Sequence, residues 1–401
     1  MNSKDDNGHG RRISRRRFNA ACQLAIVIYI WLATGSYGFS ADAPGSPSKF
    51  GPDPQQYQRS VDRAIAYLQS RGQAEDGSFN SRAGVGITAL VTTAVLRHGR
   101  SPSDPLAAKS LKYLKDAVQS DGGIYAENGM LPNYETCMVI MCLTEANKDH
   151  RYNGVIRNAE AFIKQSQWGA KAGKDRSDLS YGGAGYGEDS RPDLSNTAYF
   201  IDALKACGNG SDDPAMQKAL QFVSRCQNLE TEHNTTPFAA KNPDGGFYYT
   251  CMAGGGSPAG KTDNGGLRSY GSMTYSGLKS MIYAGLKPGD PRVKAALEWI
   301  RKNYDVKNNP GLDQAGLYYY YNVFAKSLDA LGVDQFEDAA GKKHDWRREL
   351  AEELFSRQKE DGSWINGNTK WMEGDPNLAT GFALMALSYC RPASGKEAPA
   401  Q

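Results

Sequence analysis

Two aspartates and an asparagine lie just ahead of the threonines that open two apolar helical segments. Asp193 and Asn196 precede Thr197, and Asp375 precedes Thr380. A carboxyl group can donate or accept a proton, and an amide can hold it in place. Asp193, Asn196 and Asp375 are therefore candidate catalytic residues. An aspartate at this position can instead cap a helix N-terminus, and the sequence leaves both interpretations open.

Aromatic residues accompany these acids in the segments that lead into the helices. The candidate ligand contacts are Tyr186, Tyr270, Tyr320 and Asn322. Aromatic faces stack on sugar rings, pack on apolar chains and stabilise cations. Residues 318–321 are four successive tyrosines. Because neighbours on a helix point about 100° apart, only one or two of them can face a common site. The pattern predicts a ligand site with aromatic walls.

A helical repeat, which recurs about six times across residues 57–390, must position these residues. One helix of each copy has a threonine, then a small residue six positions later, then an aliphatic residue. The threonines are Thr88, Thr136, Thr197, Thr274 and Thr380, and Tyr321 takes this place in one further copy. A repeat that pairs two helices cannot bury its apolar faces alone, so it predicts an all-α solenoid or closed ring.

The helix before each threonine helix carries a second pattern. It ends with an aromatic–aliphatic pair, such as Tyr67-Leu68 or Trp299-Ile300. In five copies a glutamine follows, at Gln73, Gln119, Gln167, Gln227 and Gln358. Four copies then have Asp-Gly and an apolar or aromatic residue. Asp-Gly supplies a turn with positive φ, and the glutamine amide can bond exposed backbone beside the next repeat. This pattern predicts a structural role.

The run from Gln358 to Trp364 resembles the QW repeat of squalene cyclases and the related repeat of protein prenyltransferase β-subunits. The resemblance covers nearly the whole chain after residue 56. It implies an α/α toroid of about six outer and six inner helices, with the active site in a central cavity. We therefore expect a toroid domain at residues 57–391, between a linker at 44–56 and a disordered tail at 392–401.

The catalytic positions of both families are altered in this chain. Where squalene cyclases have their DxDD motif, the chain has residues 193–196, so Ser195 replaces the proton-donating middle aspartate. A hydroxyl group is too weak an acid to protonate an alkene. Where prenyltransferases hold zinc, alignment on the threonines places Tyr270, Ser272 and Ala379. None of these is a zinc ligand, so we expect no metal and no other cofactor.

The residues before the repeat predict export. Ser14-Arg15-Arg16-Arg17-Phe18 matches the twin-arginine pattern, and residues 20–39 are apolar. Small residues near 40–43 offer a cleavage site, so we predict a Tat-type signal at residues 1–43. The alternative is a membrane anchor formed by residues 20–39. Either way, the protein is expected in the periplasm or cell envelope.

Three functions stay open at this point. In the first, the toroid holds an isoprenoid-like or other apolar small molecule, and any catalysis is of an altered cyclase or transferase type. In the second, it is a carbohydrate hydrolase or lyase that uses two carboxylates about 5–10 Å apart. In the third, it is a non-catalytic toroid that binds a ligand or a protein. The net charge of +3 and the lack of a basic stripe argue against nucleic acid as a partner.

Overall fold

The structure is a computed structural model that describes residues 50–169, 172–187 and 190–392. The predicted signal segment lies outside the described residues, and so does the predicted tail apart from Pro392. The predicted linker is described from Phe50 onward, and the first helix begins within it, at Pro54. None of the described helices combines the length and the apolar character needed to cross a membrane.

Two kinds of helix alternate along the chain. The outer helices are α1 (Pro54–Tyr67), α3 (Pro105–Asp116), α5 (Asn153–Ser166), α7 (Pro214–Arg225), α9 (Pro291–Lys302) and α11 (Trp346–Arg357). The inner helices are α2 (Gly86–Arg97), α4 (Pro132–Ala146), α6 (Leu194–Ala206), α8 (Gly271–Tyr283), α10 (Leu317–Leu331) and α12 (Pro376–Tyr389). Two short strands, β1 (Phe336–Glu337) and β2 (Lys343–His344), pair antiparallel between α10 and α11.

The inner helices form a closed ring. Each packs against the next one along the chain, and α12 packs against α2. Inner helices are buried on nearly every side, as in α2, where every residue from Gly86 to Leu96 is buried. Outer helices are amphipathic and bury a single stripe, which in α1 includes Val61, Ala64 and Ile65. The predicted α/α toroid of six outer and six inner helices is thereby confirmed.

Most outer helices begin at an Asp-Pro pair. Asp104, Asp213 and Asp290 each accept a hydrogen bond from backbone N–H groups of the first turn that they precede. The proline that follows has no N–H group to leave unbonded, and its φ angle suits a helix start. The same pair starts the inner helix α12, where Asp375 is the cap.

The repeated threonine of each inner helix binds the loop that precedes it. Thr88 Oγ1 accepts the backbone N–H of Phe79 at 2.9 Å. Equivalent bonds join Thr136 to Ile124, Thr197 to Ala184, Thr274 to Phe247 and Thr380 to Trp364. The bonded loop residue follows an Asp-Gly turn in four of the five cases. The threonine thus sets the rotation of the helix, with its own side chain turned away from the centre of the ring.

The repeated glutamine joins successive repeats in the outer layer. Gln227 Nε2 donates to the carbonyl of Gly245 at 2.9 Å and to the carbonyl of Arg292, in the first turn of α9, at 2.8 Å. Bonds of the second kind run from Gln73 to Leu106 and from Gln167 to Ala215. In the last copy, Gln358 Nε2 donates to the carbonyl of Ser60 in α1 at 2.9 Å. That bond closes the outer layer and confirms the structural role predicted for the glutamine.

Replacing Gln227 with leucine tests this role. Gln227 is buried, and its loss leaves two carbonyl groups without their donor, so Gln227→Leu is expected to lower the free energy of unfolding by about 1–3 kcal/mol. Gln119→Leu is the matched control, because Gln119 donates to the carbonyls of Ala117 and Tyr125 in its own loop. We expect the control to lose less than about 1 kcal/mol in urea denaturation. Equal losses for the two variants would contradict a bond between repeats.

Candidate functional site

The N-terminal ends of the inner helices meet at one rim of the ring. Backbone bonds link a helix start to the loop that leads to the next inner helix. The N–H of Asn133, in α4, donates to the carbonyl of Tyr186 at 2.9 Å, and the N–H of Leu194, in α6, donates to the carbonyl of Tyr249 at 2.8 Å. The loops that carry the predicted site residues therefore lie side by side.

Carboxylates at this rim serve as caps for the inner helices. Asp375 Oδ1 accepts hydrogen bonds from the first turn of its own helix, α12. Glu135 Oε1 accepts the N–H of Val85 at 3.0 Å, just before α2, and Glu373 Oε1 accepts the N–H of Tyr319 at 2.8 Å in α10. Free N–H groups and the positive end of the helix dipole both stabilise a carboxylate there. These acids are held by the fold.

Asp193 caps the N-terminus of α6 and has a raised pKa. Its Oδ1 accepts the backbone N–H of Asn196 at 2.9 Å, and its Oδ2 accepts Nδ2 of the same residue at 2.7 Å. Burial raises the pKa of Asp193 to about 6, although hydrogen bonds from Asn196 and Tyr249 favour the ionised form. A carboxyl group with this pKa can gain or lose a proton near neutral pH. Tyr186, which is 39% exposed, contacts Asn196 and Tyr249, while Asp193 and Asn196 are each only 2% exposed.

Four aromatic side chains from different inner helices meet at the centre of the ring. The ring of Tyr199 lies 5.3 Å from that of Tyr134 and 6.2 Å from that of Tyr319, measured between centroids. The ring of Tyr319 lies 5.8 Å from that of Phe382. These residues belong to α4, α6, α10 and α12, and we call them the aromatic layer.

Ser195, at the position of the cyclase proton donor, faces this layer. Its hydroxyl oxygen lies 3.2 Å from that of Tyr319, which also lies 3.4 Å from the hydroxyl oxygen of Ser276. Burial raises the pKa of Tyr319 to about 12. Neither the serine nor this tyrosine is a strong acid, so the position cannot protonate an alkene as an aspartic acid does.

The repeated threonine predicts which residues face the centre. Successive residues are rotated by about 100°, so positions two before and two, five and nine after the threonine lie opposite it. Tyr134 and Tyr319 lie two positions before the threonine position of their helices. Tyr199 and Phe382 lie two positions after it. None of these four residues is among the predicted site residues, although the threonine register places them from the sequence alone.

Five positions after the threonine, the centre becomes charged. Asp202 lies between two lysines, with both Lys279 Nζ and Lys326 Nζ at 2.7 Å from its Oδ2. By helix rise, these three residues, which we call the ionic layer, lie about 10 Å deeper than Ser195. Burial lowers the pKa of Lys279 to about 8, because the attraction of Asp202 offsets the loss of hydration only in part. Burial also lowers the pKa of Lys326. Burial raises the pKa of Asp202, but the two neighbouring lysines lower it more, so the pKa of Asp202 is below its ordinary value.

Nine positions after the threonine lies a second ion pair, between α2 and α4. Arg97 Nε is 3.1 Å from Glu145 Oε2, and Arg97 also donates to the hydroxyl of Tyr389 at 2.6 Å. Both charged side chains are partly exposed, so this pair marks the far end of the ring interior. The axis therefore runs from aromatic residues near the rim to charged residues in its deeper half.

The structure brings four of the predicted site residues together. Asp193, Asn196 and Tyr186 form one group, and the buried phenol of Tyr270 interacts electrostatically with Asp193 and with Tyr319. Asp375 lies apart from them at the start of α12, where its Oδ2 accepts a bond from Asn80 Nδ2 at 2.5 Å. Its contacts are those of a helix cap, which was one of its two interpretations.

Tyr320 and Asn322 do not face the centre. Tyr320 is fully buried, its ring packs on Tyr275 of α8, and its hydroxyl donates to the carbonyl of Asp305 at 2.6 Å. The register puts Asn322 on the opposite flank of α10, where it is 5% exposed and its Oδ1 has no partner. Of the four successive tyrosines, Tyr319 is the one that reaches the centre, one position before the predicted Tyr320.

The zinc positions of prenyltransferases remain without zinc ligands in the folded chain. Tyr270 and Ser272 are buried at the start of α8, and Ala379 is buried in α12. Within residues 50–169, 172–187 and 190–392, no group of three or more His, Cys, Asp or Glu side chains is arranged to hold a metal ion.

Comparisons with known proteins agree with this architecture. Residues 81–252 match the family model of the squalene-hopene cyclase C-terminal domain. The type II terpene cyclase MstE from Scytonema, in its apo form, superposes with a TM-score of 0.51 at 12% identity, covering 83% of this chain and 98% of that chain. A single-site variant of MstE gives 0.51 at 13% identity, covering 84% and 98%. A glycosyl hydrolase of family 88 from Bacteroides vulgatus gives 0.47 at 12% identity, covering 83% and 98%. No curated protein matches the chain.

The closed ring and the superposition on a type II terpene cyclase together show an α/α-toroid fold. Residues 81–252 are similar to the squalene-hopene cyclase C-terminal domain. Ser195 stands where the sequence-based alignment expects the proton-donating acid of those cyclases.

Removing the charge of Asp193 tests whether burial of its ionised carboxylate destabilises the fold. Its pKa in the folded protein, about 6, lies above the ordinary 3.8, so its ionisation destabilises the fold as pH rises from about 4 through about 6. An asparagine at this position would stay neutral and could still cap α6. We expect Asp193→Asn to gain roughly 1–3 kcal/mol of unfolding free energy relative to wild type between about pH 4 and about pH 8.

The matched control for that measurement is Asp193→Ala. Alanine cannot cap, so it should be less stable than the asparagine variant by about 1 kcal/mol at both pH values. Denaturant unfolding of the three proteins at the two pH values measures both effects. A difference between wild type and Asp193→Asn that does not change with pH would show that Asp193 is ionised without cost.

Proposed function

We propose that the protein binds an isoprenoid-like or similarly apolar molecule along the axis of its inner ring, without cyclising it by alkene protonation. The aromatic layer carries this proposal. Tyr134 and Tyr319 face the centre and yet stay partly exposed, which supports an accessible space above them. In the same register, Met138 and Leu378 add apolar surface. Such walls suit a flexible hydrocarbon chain.

Three observations argue against a cyclase mechanism. The position of the proton donor holds Ser195, and the capping acids Glu135 and Glu373 are engaged by backbone N–H groups. Deeper in the ring, the ammonium groups of Lys279 and Lys326 would repel a carbocation, because like charges interact strongly where water is excluded. The match to the squalene-hopene cyclase model still supports an isoprenoid as the class of ligand.

A carbohydrate-active enzyme is the second candidate. Asp193, with a pKa of about 6, lies beside Tyr249, as a general acid would. The buried Oδ1 atoms of Asn133 and Asn196 have no hydrogen-bond partner, and both residues lie at the rim. Ligand hydroxyl groups could donate to these acceptors. This candidate also needs a second carboxylate, and the other rim acids discussed above are helix caps.

Replacing Tyr319 tests the main proposal. Tyr319→Ala removes the side chain that joins Tyr199 to Phe382, and it is expected to weaken the binding of geranylgeraniol at least tenfold, about 1.4 kcal/mol. Tyr319→Phe keeps the ring and loses only the hydroxyl contacts, so its affinity should stay within about twofold of wild type. Fluorescence titration in dilute detergent measures both. Equal affinities for the alanine variant and wild type would place the ligand elsewhere.

Analysis of the recovered ligand separates the candidates. We expect squalene and geranylgeraniol to be recovered unchanged after incubation with the protein, because Ser195 cannot supply the proton. A cyclised product would overturn that part of the proposal. Failure to bind either lipid, together with release of sugar from an oligosaccharide library, would favour the carbohydrate candidate.

Export is a further part of the proposal, and it depends on the sequence of the N-terminal segment. The twin-arginine pathway requires the consecutive arginines, so changing both Arg15 and Arg16 to lysine should retain the protein in the cytoplasm. Cell fractionation of wild type and variant measures this. A protein of full length in the membrane fraction would indicate the anchor interpretation of residues 20–39.

A further inference from the structure

The ionic layer carries more positive than negative charge inside the ring. Lys279 and Lys326 share the single carboxylate of Asp202. The side chains of Asp202 and Lys279 are almost fully buried, and that of Lys326 is 11% exposed. Arg97, the next cation along the axis, is already paired with Glu145. The layer therefore has an excess of one positive charge when both lysines are protonated.

Buried charges of this kind are costly unless a counter-charge is close. An unpaired ion loses its hydration, and two ammonium groups beside one carboxylate repel each other. The two ammonium groups share one carboxylate, whose Oδ2 lies 2.7 Å from both Nζ atoms. The layer thus has a surplus of positive charge, and a single further carboxylate would neutralise it.

We propose that Lys279 and Lys326 bind the carboxylate head group of an amphiphilic ligand whose apolar chain passes the aromatic layer towards the rim. This inference rests on the proposed function, because the same axis must hold the chain. Lys326 and Met141, which lie at one level of the register, are both partly exposed, which supports space for a head group at this depth. A monoanion matches the surplus of one charge and leaves the layer neutral.

Matched ligands test the head group. The probes are geranylgeranoic acid and geranylgeraniol, which differ only in the acid, and palmitic acid, which has a straight chain. We expect the wild-type protein to bind geranylgeranoic acid at least ten times more tightly than geranylgeraniol. Tighter binding of palmitic acid than of geranylgeranoic acid would support the carboxylate site but show that the chain is that of a fatty acid and not an isoprenoid.

Single substitutions of the lysines test the site. Lys279→Met and Lys326→Met each remove the surplus charge and leave Asp202 paired with the other lysine, so the fold should tolerate either change. Each is expected to weaken binding of the acid at least tenfold and to leave binding of the alcohol within twofold. Lys302→Met on the surface of α9, where the side chain is 62% exposed, is the control and should change neither. Circular dichroism confirms that each variant is folded.

The outcomes separate this inference from the proposed function. Equal binding of acid and alcohol to the wild type would overturn the head-group site and leave the apolar site standing. A preference for the acid that persists in both lysine variants would also overturn it, since the anion would then bind elsewhere. Failure of all three lipids to bind would contradict the proposed function itself.

Discussion

The hydrogen bond between each repeated threonine and the loop before it determines what the ring can do. It is made by the side chain of Thr88, Thr136, Thr197, Thr274 or Thr380, and it turns that side of the helix towards the loop. The opposite side must then face the axis. Because the bond recurs in five of the six inner helices, their centre-facing residues fall at common levels and form layers. Chemistry along the axis depends on this shared rotation.

The hydrogen bonds of the loops and those of the inner helices also depend on each other. The Asp-Gly turn delivers the residue whose N–H the threonine accepts, while the glutamine binds the same loop to the next repeat. A substitution of the threonine or the glutamine would also destabilise the loop, because a buried N–H or carbonyl group of the loop would lose its hydrogen-bond partner. This coupling constrains the threonine, the glutamine and the Asp-Gly turn together.

The sequence predicts the fold better than the site, for a physical reason. Helix pairs, turns and closure follow from local patterns that repeat, so the six inner and six outer helices could be counted. Asp193, Asn196 and Tyr186 could be grouped because they are near one another in the chain. The contact between Tyr199 and Tyr319 joins residues far apart in the chain, and it depends on the rotation of both helices. Tyr320, the predicted contact, and Tyr319, which faces the centre, differ by about 100° of rotation around the helix.

Parallel inner helices give the ring an electrostatic direction. Their dipoles add, so the rim is positive and favours carboxylates such as Asp193 and Glu373, and the far end is negative and favours cations. This accounts for Arg97, the last residue of α2. It accounts less well for Lys279 and Lys326, because the dipole effect is confined to the last turn and these residues lie four and five positions before their helix ends. Their single partner, Asp202, balances only one of them. A second anion at this depth would neutralise the layer, and the proposed ligand supplies it as the carboxylate at the end of its apolar chain.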